Sequence, residues 1–550
     1  GPPGNAPLKR TSVSTFFNST PTAGDGSESV PDNTLAYWHS SAPRYLRATR
    51  EARIQDGSVN KAVTQFVYDN ASTTANVTQQ WQWDSTKGGF TGGSTLSGSN
   101  AIGTSHSYDS YGNRTQTTDP NGNITKTDYD GNSLYPVRHY QAFGQTIQRR
   151  RDVTHHFATG LLTQSVDYDN SITTENAYDY FGRPTLVEEA KGATEQRNTE
   201  IDYQDDIRRV ITRVGPLPGT SAKLVTIQHY DPLGRPRLTQ RLENSLSESE
   251  SSETTGRKVQ SRYRIVSGGS LELVSSPYRA TTSSGASSEE TMGWTLTARD
   301  VVGRVTSVKT YPGTNPPAPW GSNSSYTGNS TFSYSANVTT VTDQAGKVRA
   351  NTADGLGRLT SVLEAGTYTT NYTYDVMDNL LSVSQAGQSR SFVYTSLSRL
   401  SSATNPESGT TSYYYDNNGN LARKVDARNV TTCFGTWSGS ACDSSIGVGY
   451  DRLDRVLRKQ YSDGTPSVTY TYDLATNGKG LLRSVANSES TANYTAYDKL
   501  GRPTASNQVT SGNTYSLSYT WDAADNLRTM SLPSTRTITW SYDTAGRASG

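Results

Sequence analysis

Apolar and polar residues alternate along most of this chain in short runs and do not recur at helical spacing. In the run 367–374, Tyr368, Tyr372 and Tyr374 share one parity, with Thr and Asn between them. Val468, Tyr470 and Tyr472 do the same further on. Period-two alternation puts such residues on one face of a strand. Gly, Ser, Thr and Asn interrupt every window in which an amphipathic helix could form. The pattern therefore predicts an all-β chain with almost no helix.

A recurring phrase punctuates the runs: Tyr-Asp, two residues, Gly-Arg. Copies are Tyr178-Asp179…Gly182-Arg183, Tyr230-Asp231…Gly234-Arg235, Tyr497-Asp498…Gly501-Arg502 and Tyr542-Asp543…Gly546-Arg547. Looser copies begin at Tyr108, Arg299, Ala353, Tyr374, Tyr415, Tyr450 and Trp521. Asp bonds to its own backbone and starts turns, and Gly supplies positive φ, so Asp-x-x-Gly is a turn. Tyr then closes one strand and Arg opens the next. Asp354 to Asp375 spans 21 residues, and Asp522 to Asp543 spans 21 again. Thr395, after Tyr394, takes the Asp place between Asp375 and Asp416. A period near 21 fits a β-hairpin, two strands of about seven residues with two turns. Over the whole length this predicts roughly 50 strands. An open sheet of that size curls, splits or flattens.

These motifs resemble the YD repeats of bacterial Rhs proteins, toxin-complex C components, wall-associated proteins and the YD shell of teneurins. The resemblance runs from about Tyr68 to Gly550. It implies a continuous antiparallel β-hairpin array spiralling into a hollow YD-repeat shell. Residues 1–60 then form an N-terminal lead or cap, and 61–550 the shell, irregular at first and regular after about residue 350. The family's C-terminal core, with its Asp-Pro-rich autocleavage motif, has no counterpart within 1–550. The resemblance implies a non-catalytic shell of an exported polymorphic-toxin or cell-surface protein, secreted or displayed, whose partner is its own C-terminal toxin or cargo domain beyond Gly550. The competing reading is an extracellular fibre or adhesin that binds glycans or neighbouring cells through its repeat surface.

Composition agrees with a wet sheet. The hydrophobic share is 32%, and 34 Tyr stand against 10 Phe. Tyrosine suits a strand with its ring in an apolar layer and its hydroxyl in water. A net charge of +1 argues against nucleic acid as a partner, since such a binder shows a basic excess. Arg149, Arg150 and Arg151 form the one compact basic run and read as a solvated strand end or loop. No run is long and apolar enough to span a bilayer. The start, Gly1-Pro2, carries no signal-peptide pattern and does not speak to export.

Three interruptions break the array. The Ser/Glu tract from Arg241 to Lys258 reads as a surface loop, as does the proline-rich stretch from Tyr311 to Pro319. The third is an excess of residues between Asp416 and Asp451 that contains Cys433 and Cys442, the only cysteines. A disulfide closing this excursion is the simplest reading. No cofactor, metal or catalytic site is predicted. His39, His106, His139, His155, His156 and His229 lack metal-ligand spacing. Asp119-Pro120-Asn121-Gly122-Asn123 is a turn lacking the spacing of a Ca²⁺ loop. No nucleophile elbow, phosphate loop or dinucleotide motif appears. The recurring Tyr and Arg predict stacking and cation–π ladders across strands.

Overall fold

The computed structural model describes residues 11–16, 49–69, 76–91, 94–215, 221–279, 292–543 and 546–548. Most of the predicted lead, 1–60, and with it His39, lies outside the described residues. Among those described, 41 strands and one short 3₁₀ turn, Asp205–Ile207, are formed. The count is below the 50 or so expected because the three interruptions carry little strand. Thirty-nine strands belong to one antiparallel sheet. The other two, Thr436–Trp437 and Cys442–Asp443, pair as a hairpin in the third interruption.

The chain divides into two compact units. One comprises Gly1–Asp152, Thr370–Thr471 and Val485–Glu489, the other Val153–Thr369, Tyr472–Ser484 and Ser490–Gly550. Within each, successive strands run up and down as hairpins. In the first unit Thr49–Asp56, inside the predicted lead, pairs with both Thr11–Phe16 and Val59–Tyr68. In the second, Arg197–Gln204 pairs with Pro184–Glu189 on one side and Arg209–Gly215 on the other.

Apolar packing is confined to small clusters, each where an insertion folds back over one sheet face. In the second unit Ile211, Val225 and Ile227 pack with Leu242, the first residue after a strand. Leu273, Tyr278, Met292, Trp294 and Tyr311 form another cluster, joined by Trp320. In the first unit Val63, Leu96 and Ala101 pack with Trp81, Trp83 and Phe90.

The Ser/Glu tract is tightly held, which its composition did not foretell. Arg213 bonds to Glu250, Arg237 to Glu253, and the Glu248 carboxylate accepts from the backbone N–H groups of Glu243, Asn244 and Gly256. Lys258 is almost fully buried, and its ammonium donates to the carbonyls of Thr254, Gly256 and Arg279. The second interruption also begins later than predicted. Tyr311 and Pro312 still belong to the strand Val305–Pro312, with the proline as its last residue. Terminal placement costs the ladder least.

Candidate functional site

The repeated turn is the chemical unit of this protein. At Asp179 one carboxylate oxygen accepts from the N–H of Phe181 and of Arg183, both at 2.9 Å. The other accepts from Arg183 Nε at 2.7 Å. The backbone adds Gly182 N–H to Asp179 C=O and Asp179 N–H to Arg183 C=O. The same set closes the turns at Asp231, Asp498 and, for its described residues, Asp543. Gly182, Gly234, Gly501 and Gly546 all have φ between 73° and 78°, a region that costs any other L-residue. Looser copies place Asp378, Ser398, Asp454 and Asp525 there with positive φ. At Thr395 a hydroxyl does the work of the carboxylate, accepting from Leu397 and Arg399 N–H at 3.3 and 3.2 Å.

Each turn is also tied to its neighbours. The Tyr178 hydroxyl donates to the carbonyl of Leu162, Tyr415 to Leu400, Tyr497 to Leu482 and Tyr542 to Leu527. In every case the acceptor is the first residue of the strand that opened the preceding hairpin. Phenylalanine could not make this bond, having the ring without the donor, whereas at Trp521 the indole N–H donates to the carbonyl of Pro503. The arginine reaches the other way. Arg183 lies 4.1 Å from the Tyr203 ring centre, Arg235 4.4 Å from Tyr263, and Arg304 4.4 Å from Tyr334. Arg183 also makes a two-pronged pair with Asp205. A register shift just before each motif tyrosine, as at Ala177/Tyr178 and His229/Tyr230, places an extra residue on the outgoing strand. Neither the hydroxyl ties nor this bulge was read from the sequence. The one available signal was the Tyr-over-Phe bias.

Electrostatics follow from these bonds. The Asn113 side-chain amide is the chief cause that holds the Asp109 carboxyl below its usual range. At Asp179 and Asp231 burial pushes the pKa up, but the hydrogen bonds from the backbone and the paired arginine outweigh it and the net shift is downward. Burial pushes the Tyr450 phenol up to about 12, helped by the nearby Asp416 and Asp454 carboxylates. Such shifts follow from the turn network of hydrogen bonds and ion pairs and from burial.

The remaining sequence candidates are dispersed. Cys433 and Cys442 are disulfide-bonded, with Cα atoms 5.5 Å apart. Arg149, Arg150 and Arg151 open the strand Arg149–His155, and Arg150 pairs with Asp152. His229 is buried and shares a 2.5 Å hydrogen bond with Gln240, while His106 bonds to Thr117. Asp119–Asn123 is a turn, its carboxylate accepting from Asn121 and Asn123 N–H. Among the described residues no group of three or more His, Cys, Asp or Glu is placed to hold a metal ion, and no helix is long and apolar enough to cross a membrane.

Turn-locked hairpins joined in chain order into one antiparallel sheet define the class: a YD-repeat protein. The RHS Repeat family model matches residues 354–390, two successive turns of the regular part. No curated protein matches the sequence. Among solved structures, TcdB2-TccC3-TEV aligns with a TM-score of 0.66 at 10% identity, over 91% of this chain and 34% of that one. TcdB2-TccC3 without its hypervariable C-terminal region aligns with a TM-score of 0.66 at 10% identity, over 90% and 32%. TcdB2-TccC3 itself gives 0.65 at 11%, over 91% and 32%. This chain thus spans about a third of the length of the solved chains it matches. It carries an RHS repeat at 354–390 and shares the antiparallel β-fold of these solved structures.

Proposed function

We propose that this chain is a non-catalytic wall: a YD-repeat shell of an exported toxin-type protein, built to enclose a cargo domain that follows it in the full-length polypeptide. The observation that carries this reading is the fold likeness to TcdB2-TccC3 over 91% of the chain. One of the matched structures was solved without a hypervariable C-terminal region, which is where a variable cargo belongs. The turn network supports the same reading. Its Asp and Arg side chains are used up in holding hairpins together, and an Asp that recurs with each repeat serves architecture. The disulfide suits an oxidising, extracellular destination.

Small-angle scattering of the purified chain tests the reading. A compact 550-residue body has a radius of gyration of about 24 Å. A wall around a cavity gives a clearly larger value with a single-peaked distance distribution skewed to long separations. A value near the compact one overturns the shell. A long asymmetric distribution favours the fibre.

A further inference from the structure

The Ser/Glu tract, residues 242–256, folds back over three strands of the second unit, Arg209–Gly215, Leu224–Tyr230 and Pro236–Arg241. Beneath it lie Gln240, 0% exposed, and His229, 2% exposed. Strand alternation puts Ile211, Ile227 and Leu238 on the same covered face, and all three are buried. The Gln240 side-chain nitrogen donates to the tract carbonyls of Ser252 and Thr255 at 2.9 and 3.1 Å. Its oxygen, left as an acceptor, meets His229 Nε2 at 2.5 Å. Nε2 therefore carries the ring proton, and Nδ1 is bare while the imidazole is neutral. Nδ1 faces the Glu253 carboxylate of the tract at 3.5 Å.

A proton on Nδ1 brings a second charge to this site, where the charges already present are engaged. Glu253 is held by Arg237, on the strand Pro236–Arg241. Arg209, the ladder partner of His229, donates to Gln204 and to the Glu250 carbonyl. Lys258, on the strand Arg257–Val266, donates to the carbonyls of Thr254 and Gly256. The new cation thus joins Arg237 and Arg209 around one carboxylate, out of water. Burial above all, with the two arginines, holds the imidazole below its ordinary value against the pull of Gln240 and Glu253. A docked tract that needs the neutral ring has its full stability above the free value of about 6.5 and weakens as pH falls below it. The other ties of the tract's middle are slighter. The Arg213–Glu250 and Arg237–Glu253 pairs are partly exposed, where such pairs contribute little.

We propose that the Ser/Glu tract is an acid-released strap with His229 as its sensor: it lies on the sheet while Nδ1 is bare, and its middle, residues 246–253, lifts when Nδ1 takes a proton. The ends of the strap stay fixed, because Glu243 pairs with Arg279 and Lys258 holds Thr254 and Gly256. Lifting lets water reach the charged ring and bares Ile211, Ile227 and Leu238. The sheet then shows in acid an apolar face that it hides at neutral pH. The inference does not depend on whether the sheet encloses anything.

Hydrogen exchange read by mass spectrometry tests it, with each rate divided by the intrinsic rate at the same pH. In the purified chain the protection of residues 246–253 should fall at least tenfold between pH 7.5 and pH 5, with its midpoint below about 6.5. The strand Arg209–Gly215 beneath should keep its protection over that range. His229→Gln keeps an N–H for Gln240 but takes up no proton, so its strap should stay equally protected at both pH values. Unchanged protection of residues 246–253 in the natural chain overturns the proposal. So does a step of the same size and midpoint in His229→Gln, which assigns the release to the tract's carboxylates. Nitrogen spectra of the natural chain labelled at histidine read the ring itself, whatever the variant does. They should show the Nε2–H form at pH 7.5 and its loss over the same range as the exchange step. A ring that takes its proton over a different range from the step also overturns the proposal.

Discussion

The aspartate of each motif turn is the residue on which the local fold hangs, and its context sets how much it contributes. Asp498 is 3% exposed at its side chain and is paired with Arg502, which is 12% exposed. Asp300 makes the same bonds but is 20% exposed, with Arg304 at 52%. Removing one partner of a buried, hydrogen-bonded pair leaves the other charge and the backbone donors unsatisfied. Asp498→Ala should therefore cost about 3 kcal/mol, and Asp300→Ala clearly less, since water replaces the lost bonds at an exposed site. Denaturant unfolding of the two variants measures this, and equal losses would show that burial of the Asp498–Arg502 pair adds nothing to the turn. The turn itself is legible in Asp-x-x-Gly because Asx chemistry and positive φ act within five residues. The burial that separates Asp498 from Asp300 is set by a segment far away in sequence.

At the scale of elements, the unit is a hairpin that cannot stand alone. A two-stranded hairpin is marginal in water. Here each is stitched to the previous one by a tyrosine hydroxyl, as Tyr497 to Leu482, and to the next by an arginine, as Arg183 to Tyr203. Bonds between distant hairpins add a second set of ties. The reciprocal Ser85–Ser396 pair is the cleanest because neither residue is charged and each backbone N–H meets the other hydroxyl. Its Ser396 hydroxyl donates onward to the Trp83 carbonyl. A double-mutant cycle with Ser85→Ala and Ser396→Ala should give a coupling of about 1 kcal/mol, the net worth of such bonds. Strictly additive losses would mean that the two hairpins do not touch in solution. Nothing in the sequence around Ser85 announces this partner, since serine in a turn has many local reasons to be there.

For the whole molecule, stability rests on many modest polar ties more than on one large core, so it should respond to acid as a sum. The carboxyls of Asp109, Asp179, Asp231, Asp300, Asp354 and Asp426 are all held below the usual value. A carboxyl depressed on folding contributes stability that is present above its unfolded pKa of about 3.9 and is lost as pH falls towards the folded value. The urea midpoint should thus change little from neutrality to about pH 5 and fall below about pH 4. Protonation also leaves the 51 Lys and Arg unbalanced in that range, adding repulsion of the same sign. A midpoint at pH 3 equal to that at pH 7 would show that the turn carboxylates do not govern stability.

The sequence by itself determined the all-β class, the hairpin period and the phase of the turns. Each of these follows from alternation and turn chemistry within about 21 residues, as between Asp354 and Asp375. It also marked where the array is interrupted, at the Ser/Glu tract and the cysteine pair. Only the tertiary structure decided that Glu248, Glu250 and Glu253 fold that tract back onto the sheet, because ion pairs with Arg213 and Arg237 need strands that are distant in the chain. It alone decided which turn tips are covered. Val376 and Val301 occupy the same place in the same motif, yet one is 6% and the other 79% exposed. The difference between them lies in whether the rest of the fold packs over the turn, which no local pattern encodes.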